Sequence, residues 1–384
     1  MILACENSQM REYDLMIVGA GMAGASLAWR LAGQRSVLLL EREAQPGYHS
    51  TGRSAAMFME SYGPPAVRAL TCASRAFYEH PPEGFAAAPL LHPRGALYVA
   101  TPGQEALMAQ TRTELATSCP GLEMLDARAT LARVPCLRPE MVRGGLYDPG
   151  AHDIDVHALH QGFLRGFRQQ GGELRISDTL TQAAHDGQCW TLQFADGQAV
   201  RARMVVNAAG AWADELASFF GAAPIGLVPH RRSAFTFKAP EGMDASGWPV
   251  VAGMDESYYF KPDAGQLLGS PANADPTVPH DVVPEELDIA MGIHQIESVT
   301  TLSIRRPTST WAGLRSFVPD GEMVIGRDAA CPGFFWLAAQ GGYGIQTAAG
   351  ASALADALLR EVALPAELVQ HGVNAAALSP ARLR

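Results

Sequence analysis

The sequence predicts an α/β protein, α+β overall, in which a nucleotide-binding domain contains an inserted antiparallel-sheet domain. A glycine-rich strand–turn–helix unit stands near the start, and two further such units lie far along the chain. Between them lies a long stretch of alternating polar and apolar residues, and 384 residues suffice for two domains. We assign residues 11–88, 146–222 and 312–384 to the nucleotide-binding domain, and 89–145 and 223–311 to the inserted domain.

The first unit, LMIVGAGMAGASLAWRLAG at residues 15–33, has the spacing GxGxxG at Gly19, Gly21 and Gly24. These glycines permit a tight turn, close approach of a pyrophosphate to the backbone, and close packing of helix on sheet. The N–H groups at the helix N-terminus attract phosphate. A second buried strand ends at Glu41, which is placed to bind a ribose diol and disfavours a 2′-phosphate. The unit is therefore typical of a Rossmann-like site for FAD or NAD rather than NADP.

The two later units continue the same plan. Residues 202–220 and 333–359 each read as strand, small-residue turn and helix, and we predict that they join the first sheet. The N-terminus of the last helix is also placed to face a flavin ring, whose reduced form carries negative charge. Residues 227–310 alternate in polarity around a turn at 262–265, which predicts the inserted antiparallel sheet.

Composition excludes several classes of protein. The net charge of −10 and the absence of a basic stripe argue against nucleic-acid binding. No apolar run approaches 18 residues, so we expect no transmembrane segment. Residues 1–14 do not resemble a signal peptide, and six cysteines without CxxC spacing suit a reducing compartment, which together predict a cytoplasmic protein.

Two other kinds of site are also rejected. The cluster AHDIDVHALH at residues 151–160 holds histidines and aspartates, but Asp155 is explained as a helix N-cap and the spacing fits no metal site. We therefore predict no metal. The chain contains no GxSxG sequence, so it does not resemble a serine hydrolase.

Two arginines are candidates for binding a carboxylate. Arg232 lies on a predicted strand within RRSAFTF, and Arg315 follows WAGL just before the last unit. The guanidinium fork matches a carboxylate, although surface ion pairs are the commoner role of arginine.

Over nearly the whole chain the sequence resembles the glycine oxidase and D-amino acid oxidase group of flavoproteins, and most closely the bacterial FAD-dependent D-arginine dehydrogenases. The matching runs include LEREAQPGYHSTGRSAA, VNAAGAW, KPDAGQLLGSPANADP, TWAGLRSF and AAQGGYGIQT. The resemblance implies non-covalent FAD in the first domain, an amino-acid substrate in the second and a role in amino-acid catabolism. It implies that the carboxylate is held by the candidate catalytic residues Arg232, Tyr259 and Arg315, and that Tyr62, a fourth candidate catalytic residue, is a tyrosine of the active-site loop. The residues implied for FAD binding are Gly19, Gly21, Met22, Ala23, Gly24, Glu41, Arg42, Ser50, Thr51, Arg53, Ser54, Ala55, Ala208, Gly210, Gly341, Gly342, Tyr343, Gly344, Ile345, Gln346 and Thr347.

The implied reaction is oxidative deamination of a D-amino acid. A hydride would leave Cα for flavin N5, and water would hydrolyse the resulting imine to a 2-oxo acid and ammonia. Oxygen and a membrane quinone both remain open as the electron acceptor. Positioning would supply most of the catalysis, since the flavin supplies the redox chemistry.

The predicted substrate pocket departs from the D-arginine dehydrogenases. Its residues are Met57, Met59, Ala96, Gly313 and Gln346. The relatives have histidine, threonine and glutamate where this chain has Met57, Met59 and Ala96. Loss of the acid removes the charge that favours a guanidinium, so we expect a neutral or apolar substrate. Two alternatives remain open: a flavin oxidase of an N-alkyl amino acid such as sarcosine or proline, and a non-catalytic flavin-binding protein.

Overall fold

The computed structural model describes residues 10–384. Residues 1–9, which include Cys5 and most of the segment that does not resemble a signal peptide, lie outside the described residues. The strands are β1 (Arg11–Val18), β2 (Val37–Leu40), β3 (Met57–Phe58), β4 (Leu91–Pro93), β5 (Ala96–Ala100), β6 (Glu123–Asp126), β7 (Gly144–Asp148), β8 (His152–Ile154), β9 (Glu173–Arg175), β10 (Leu180–His185), β11 (Trp190–Phe194), β12 (Ala199–Asn207), β13 (Val228–Phe237), β14 (Val250–Gly253), β15 (Tyr259–Asp263), β16 (Gln266–Ser270), β17 (Asp275–Pro276), β18 (Ser309–Phe317), β19 (Val324–Arg327) and β20 (Phe334–Ala338). The helices are α1 (Met22–Leu31), α2 (Pro65–Glu79), α3 (Glu105–Leu115), α4 (Ala127–Arg133), α5 (Val156–Gln169), α6 (Ala213–Phe219), α7 (Glu286–Val299), α8 (Ala348–Arg360), α9 (Ala366–Gln370) and α10 (Ala375–Leu378).

The first sheet has a parallel centre in the order β9–β2–β1–β12–β20. Strands β10 and β11 extend it antiparallel beside the first half of β12, and β19 pairs with β20. Alternate residues of β1 pack into the hydrophobic cores on the two faces of the sheet. Ile17 packs in the core that includes α1, α5 and α8, whereas Met16 packs in the core on the opposite face. Both faces are covered, as is usual for a parallel sheet. The three predicted strand–turn–helix units all contribute to this sheet, which confirms their prediction.

The second sheet runs β18–β13–β16–β15–β14–β5–β7–β6, with the short β17 also paired to β13. Every pair of neighbours is antiparallel except β5 and β14. The predicted hairpin turn joins β15 to β16 through Ala264 and Gly265, whose φ angles of 45° and 78° are those of a type I′ turn. The antiparallel character predicted for residues 227–310 is confirmed.

Two predicted domain boundaries cut through strands. The boundary at 145/146 falls inside β7 and the one at 311/312 inside β18, yet both strands lie in the second sheet. Ladder hydrogen bonds hold each strand to its sheet along its length, so the sheets favour moving these boundaries to the ends of β7 and β18. With these two boundaries moved, the division of the chain into two domains remains a prediction. In residues 10–384 no helix has both the length and the apolar character required to cross a membrane.

Candidate active site

A cavity of about 400 Å³ lies beyond the carboxyl ends of β1, β2, β12 and β20. This edge of a parallel sheet is where nucleotides bind in doubly wound folds. Most of the residues predicted to bind FAD line this cavity: Gly19, Gly21, Met22, Ala23, Glu41, Arg42, Ser50, Thr51, Arg53, Ser54, Ala55, Ala208, Gly210, Gly341, Gly342, Gly344 and Ile345.

The turn after β1 leaves room that only glycine provides. A Cβ at Gly19 would lie 2.4 Å from the carbonyl oxygen of Ala208, and the φ of +103° disfavours other residues. A Cβ at Gly24 would lie 1.9 Å from the carbonyl oxygen of Gly19. Helix α1 begins after Gly21 with no acid in its first turn, and the hydroxyl of Thr51 accepts from the N–H of Met22 at 3.0 Å. Its positive end is therefore available to a pyrophosphate.

Glu41 is held in place at the end of β2. One carboxylate oxygen accepts from the N–H of Ala20 at 2.9 Å, and the other accepts from the N–H of Glu43 at 3.0 Å. A carboxylate oxygen accepts more than one hydrogen bond, so acceptor capacity remains for a ribose diol. The turn after β1, the N-terminus of α1 and the Glu41 carboxylate therefore fit a dinucleotide.

Trp212 and Arg42 lie side by side in the wall of this cavity. The sequence did not indicate this contact. The Arg42 guanidinium lies 3.9 Å from the centroid of the Trp212 ring, and both residues line the cavity. The chain segment 178–180 lines the same end. No motif marks these residues, because the fold joins them from β2, the turn after β12 and the start of β10.

His160 on α5 forms a hydrogen bond with the turn between β1 and α1. Its Nε2 lies 2.8 Å from the carbonyl oxygen of Ala20, and the side chain is buried. Because a carbonyl only accepts, Nε2 carries a proton and donates it to this carbonyl. Burial, and to a smaller extent His157, lowers the pKa of His160.

The lowered pKa of His160 predicts a loss of stability in mild acid. In the unfolded chain this histidine takes up a proton below about pH 6.5, whereas the folded state resists protonation, so stability falls as pH falls through that value. We expect the melting temperature of the holoprotein to fall more steeply below that pH than in His160→Gln, whose amide donates to the same carbonyl. Equal slopes for the two proteins would contradict this role.

A smaller cavity of about 110 Å³ adjoins the first. Eight of the residues that line it were predicted as pocket or catalytic residues: Met57, Met59, Tyr62, Ala96, Arg232, Tyr259, Arg315 and Gln346. The two cavities share residues in their walls, which are Ser54, Ala55, Arg232, Tyr259, Arg315 and Gly342. The predicted arginines therefore lie where the two spaces meet.

Four predicted residues lie elsewhere than expected, and Gln346, which was predicted for both sites, lines only the smaller cavity. Gly313 lines the larger cavity, because it pairs with Arg232 on the strand nearest that space. Tyr343, Thr347 and Gly24 line neither cavity. The hydroxyl of Thr347 donates to the Tyr343 carbonyl at 2.8 Å, and Gly24 acts through helix packing.

The two arginines extend from adjacent strands toward the junction. In the β13–β18 ladder His230 pairs with Arg315 and Arg232 pairs with Gly313, so both arginines lie on one face of the sheet. Arg315 donates to the Tyr62 hydroxyl at 3.2 Å, and Arg232 donates to the Asn273 carbonyl at 2.5 Å.

No carboxylate within residues 10–384 forms an ion pair with Arg232 or Arg315, in contrast to the neighbouring Arg231, which pairs with Asp288 at 2.9 Å. Burial, followed by the charge of Arg315, lowers the pKa of Arg232 to about 10. The group thus keeps its charge at neutral pH. Two partly buried cations beside each other favour an anion between them.

The loop from Met57 to Tyr62 is hydrogen-bonded to Gln346, just before the start of α8. The N–H of Met59 donates to the Gln346 side-chain oxygen at 3.2 Å, and the Gln346 amide donates to the Thr71 hydroxyl at 3.0 Å. The Tyr62 ring packs edge-on against Tyr343 with centroids 5.0 Å apart. Gln346 therefore positions the loop as well as lining the smaller cavity. Within residues 10–384 no group of His, Cys, Asp and Glu side chains has a metal-binding arrangement.

The fold and the larger cavity are typical of a dinucleotide-binding protein, and a smaller cavity adjoins the larger one. The profile of one family, described as DAO, FAD dependent oxidoreductase, matches residues 14–357. The chain belongs to this family, and its cofactor is FAD. The family and the fold class predicted from the sequence are confirmed, whereas the closer likeness to D-arginine dehydrogenases stays a prediction.

The chain is similar to several characterised proteins. It is 26% identical over 280 residues to mitochondrial dimethylglycine dehydrogenase of Homo sapiens, covering 70% of this chain and 31% of that protein. The chain thus spans about a third of that relative. Glycine oxidase from Geobacillus kaustophilus superposes with a TM-score of 0.80 at 20% identity over 95% of this chain and 99% of that one. L-proline dehydrogenase from P. horikoshii superposes with a TM-score of 0.81 at 18% identity over 97% and 98% of the two chains.

Proposed function

We propose that the protein oxidatively deaminates a D-amino acid with a neutral or apolar side chain to the 2-oxo acid and ammonia. The observation that carries this proposal is the pair Arg232 and Arg315, which face the junction of the cofactor cavity and the smaller cavity without a carboxylate partner among residues 10–384. A cationic pair at this place suits a carboxylate that must lie beside the cofactor.

Each residue at the junction then has a separate task. Arg315 and Arg232 hold the substrate carboxylate, and the hydroxyl groups of Tyr62 and Tyr259 contribute further polar contacts at the same end. FAD held in the larger cavity would supply the acceptor for a hydride from the substrate Cα. Fixing the carboxylate restricts the position of Cα, and such positioning is worth a large part of a catalytic rate. The residues of the 341–347 turn and the loop of Tyr62 exclude water from the junction.

The lining of the smaller cavity supports a substrate without a basic side chain. Met57, Met59 and Ala96 contribute apolar surface, and Ala96 has no group to pair with a guanidinium. A substrate arginine would lose the hydration of its charge in this cavity, where Glu256, the one acid that lines it among residues 10–384, is exposed. That loss is costly. The resemblance of the sequence to D-arginine dehydrogenases supports the D configuration.

A second candidate is oxidation of an N-alkyl amino acid to an aldehyde and a primary amine, or of a cyclic amine such as proline. The similarity to a dimethylglycine dehydrogenase and to the fold of an L-proline dehydrogenase favours this reading. The carboxylate would be held by the same arginines. The two candidates differ in which carbon bonded to the nitrogen loses the hydride: Cα in the first reaction and the N-alkyl carbon in the second.

Anaerobic mixing with a panel of amino acids tests the proposal. We expect D-leucine, D-methionine and D-phenylalanine to bleach the flavin much faster than D-arginine, the L enantiomers or N-methyl amino acids. Ammonia and a 2-oxo acid should then accumulate under turnover. A clear lead for D-arginine would refute the substrate class, and bleaching by N-methyl amino acids alone, with release of an aldehyde, would establish the second candidate.

A further inference from the structure

A buried lysine lies in the wall of the smaller cavity. Strands β5, β14 and β15 are neighbours, and their register places Ala96 beside Val250 in the same row as Lys261. Residues two apart on a strand share a face, so Tyr259, at the junction, and Lys261 point to the same side of the sheet. The Lys261 side chain is only 7% exposed.

The positive charge of Lys261 is incompletely neutralised. Its ammonium group contacts one oxygen of Asp153 at 2.6 Å, and the other oxygen of Asp153 accepts from Arg94, also at 2.6 Å. One carboxylate thus serves two cations, which leaves the cluster with a net positive charge. Glu256 also lines the cavity, but it is exposed and its charge acts on Arg232 at the junction.

Ala96 increases the effect of this charge. The alanine methyl group lies in the same strand row as Lys261 and offers no acceptor, and Val250 between them offers none either. An ammonium group in a largely apolar space favours a hydrogen-bond acceptor from the substrate. The cavity therefore has cations both at the junction and in the wall beyond it.

We propose that Lys261 is a specificity-determining residue that selects substrates whose short side chain ends in a carbonyl oxygen, either a carboxamide or a carboxylate. This inference rests on the proposed amino-acid oxidation; it favours the polar members of the neutral class and extends the class to short side chains that end in a carboxylate. The ammonium group donates to the side-chain oxygen, while the α-carboxylate stays with Arg232 and Arg315. The side chain then spans the apolar surface of Met57 and Ala96.

Shape-matched substrate pairs separate a polar from an apolar preference. Asparagine resembles leucine in shape, and glutamine and glutamate resemble methionine. In anaerobic reduction of the flavin by the active enantiomers, we expect the acceptor-bearing member of each pair to have about a tenfold higher ratio of limiting rate to apparent Kd. A lead for leucine and methionine would overturn this inference and leave the proposed function intact. Reduction by none of these amino acids would refute both.

The variants Lys261→Met and Lys261→Arg test the residue itself. We expect Lys261→Met to lose about tenfold for asparagine, glutamine and glutamate, mainly through a weaker apparent Kd, and to keep its rate with leucine and methionine. Lys261→Arg should retain the preference. An equal loss for all substrates in Lys261→Met would show that the lysine only stabilises the fold through Asp153, and would overturn the proposal.

Ala96→Glu provides a second test that keeps Lys261. A carboxylate in the same row would pair with the ammonium group and cancel its free charge. We expect this variant to lose about tenfold for the acceptor-bearing substrates. An unchanged preference for asparagine and glutamine in the folded, yellow variant would contradict the role of Lys261.

Discussion

Replacing Arg315 by methionine is expected to lower kcat/KM for the amino-acid substrate by about 10² to 10³-fold, while FAD stays bound. The guanidinium has no ion-pair partner within residues 10–384, and its one side-chain hydrogen bond there goes to the neutral hydroxyl of Tyr62. Its charge is therefore available to the substrate carboxylate. Steady-state kinetics together with the flavin content of the purified variant measure both parts of the prediction.

Arg305→Met is the matched control. This arginine is exposed on the segment before β18, and its replacement removes the same charge from the chain at a distance from the cavities. We expect its kinetics to equal those of the unmodified protein. If Arg315→Met kept full kcat/KM, the arginine would not hold the carboxylate. If it lost its flavin, the residue would serve the cofactor instead.

Replacing Gly24 by valine is expected to abolish FAD binding or soluble expression. The Cβ of any other residue would lie 1.9 Å from the carbonyl oxygen of Gly19, so α1 would have to move away from the sheet. That movement would displace the turn that is shaped for the pyrophosphate. The ratio of flavin absorbance to protein absorbance in the purified protein, and its melting curve, measure the effect.

Gly121→Val is the control for this second prediction. A Cβ added at Gly121 would have no atom within 4 Å, and Gly121 lines neither cavity. We expect this variant to be yellow and stable. A yellow Gly24→Val protein with an unchanged melting temperature would show that the turn tolerates the displacement, and would contradict the packing argument.

The parts of the fold that follow from local pattern could be predicted. Strand, glycine turn and helix occur within about twenty residues of each other in each unit, so Gly19, Gly21 and Glu41 were identified from spacing and line the cavity as expected. The alternation around the Ala264–Gly265 turn likewise predicted the hairpin. The function of Arg232 and Arg315 required the family resemblance, because their sequence context alone does not distinguish a clamp from a surface pair.

The parts that depend on distant contacts could not be predicted. Lys261 and Asp153 are separated by 108 residues, and only the meeting of β8 with the second sheet makes them an ion pair. Trp212 and Arg42, likewise distant in sequence, are in contact in the wall of the cofactor cavity. Ala96 was identified through the relatives, but its position in the row of Lys261 depends on the parallel pairing of β5 with β14, which no local pattern indicates.

The central claim is that a carboxylate held by Arg232 and Arg315 brings the substrate Cα to the flavin. It is tested most directly by anaerobic flavin reduction with a reactive D-amino acid and with the amine that lacks its carboxylate, such as D-leucine and 3-methylbutylamine. We predict rapid bleaching by the amino acid and at least a hundredfold slower bleaching by the amine, consistent with loss of about 3 kcal/mol of charge-assisted binding. Equal rates for the two compounds would contradict the account.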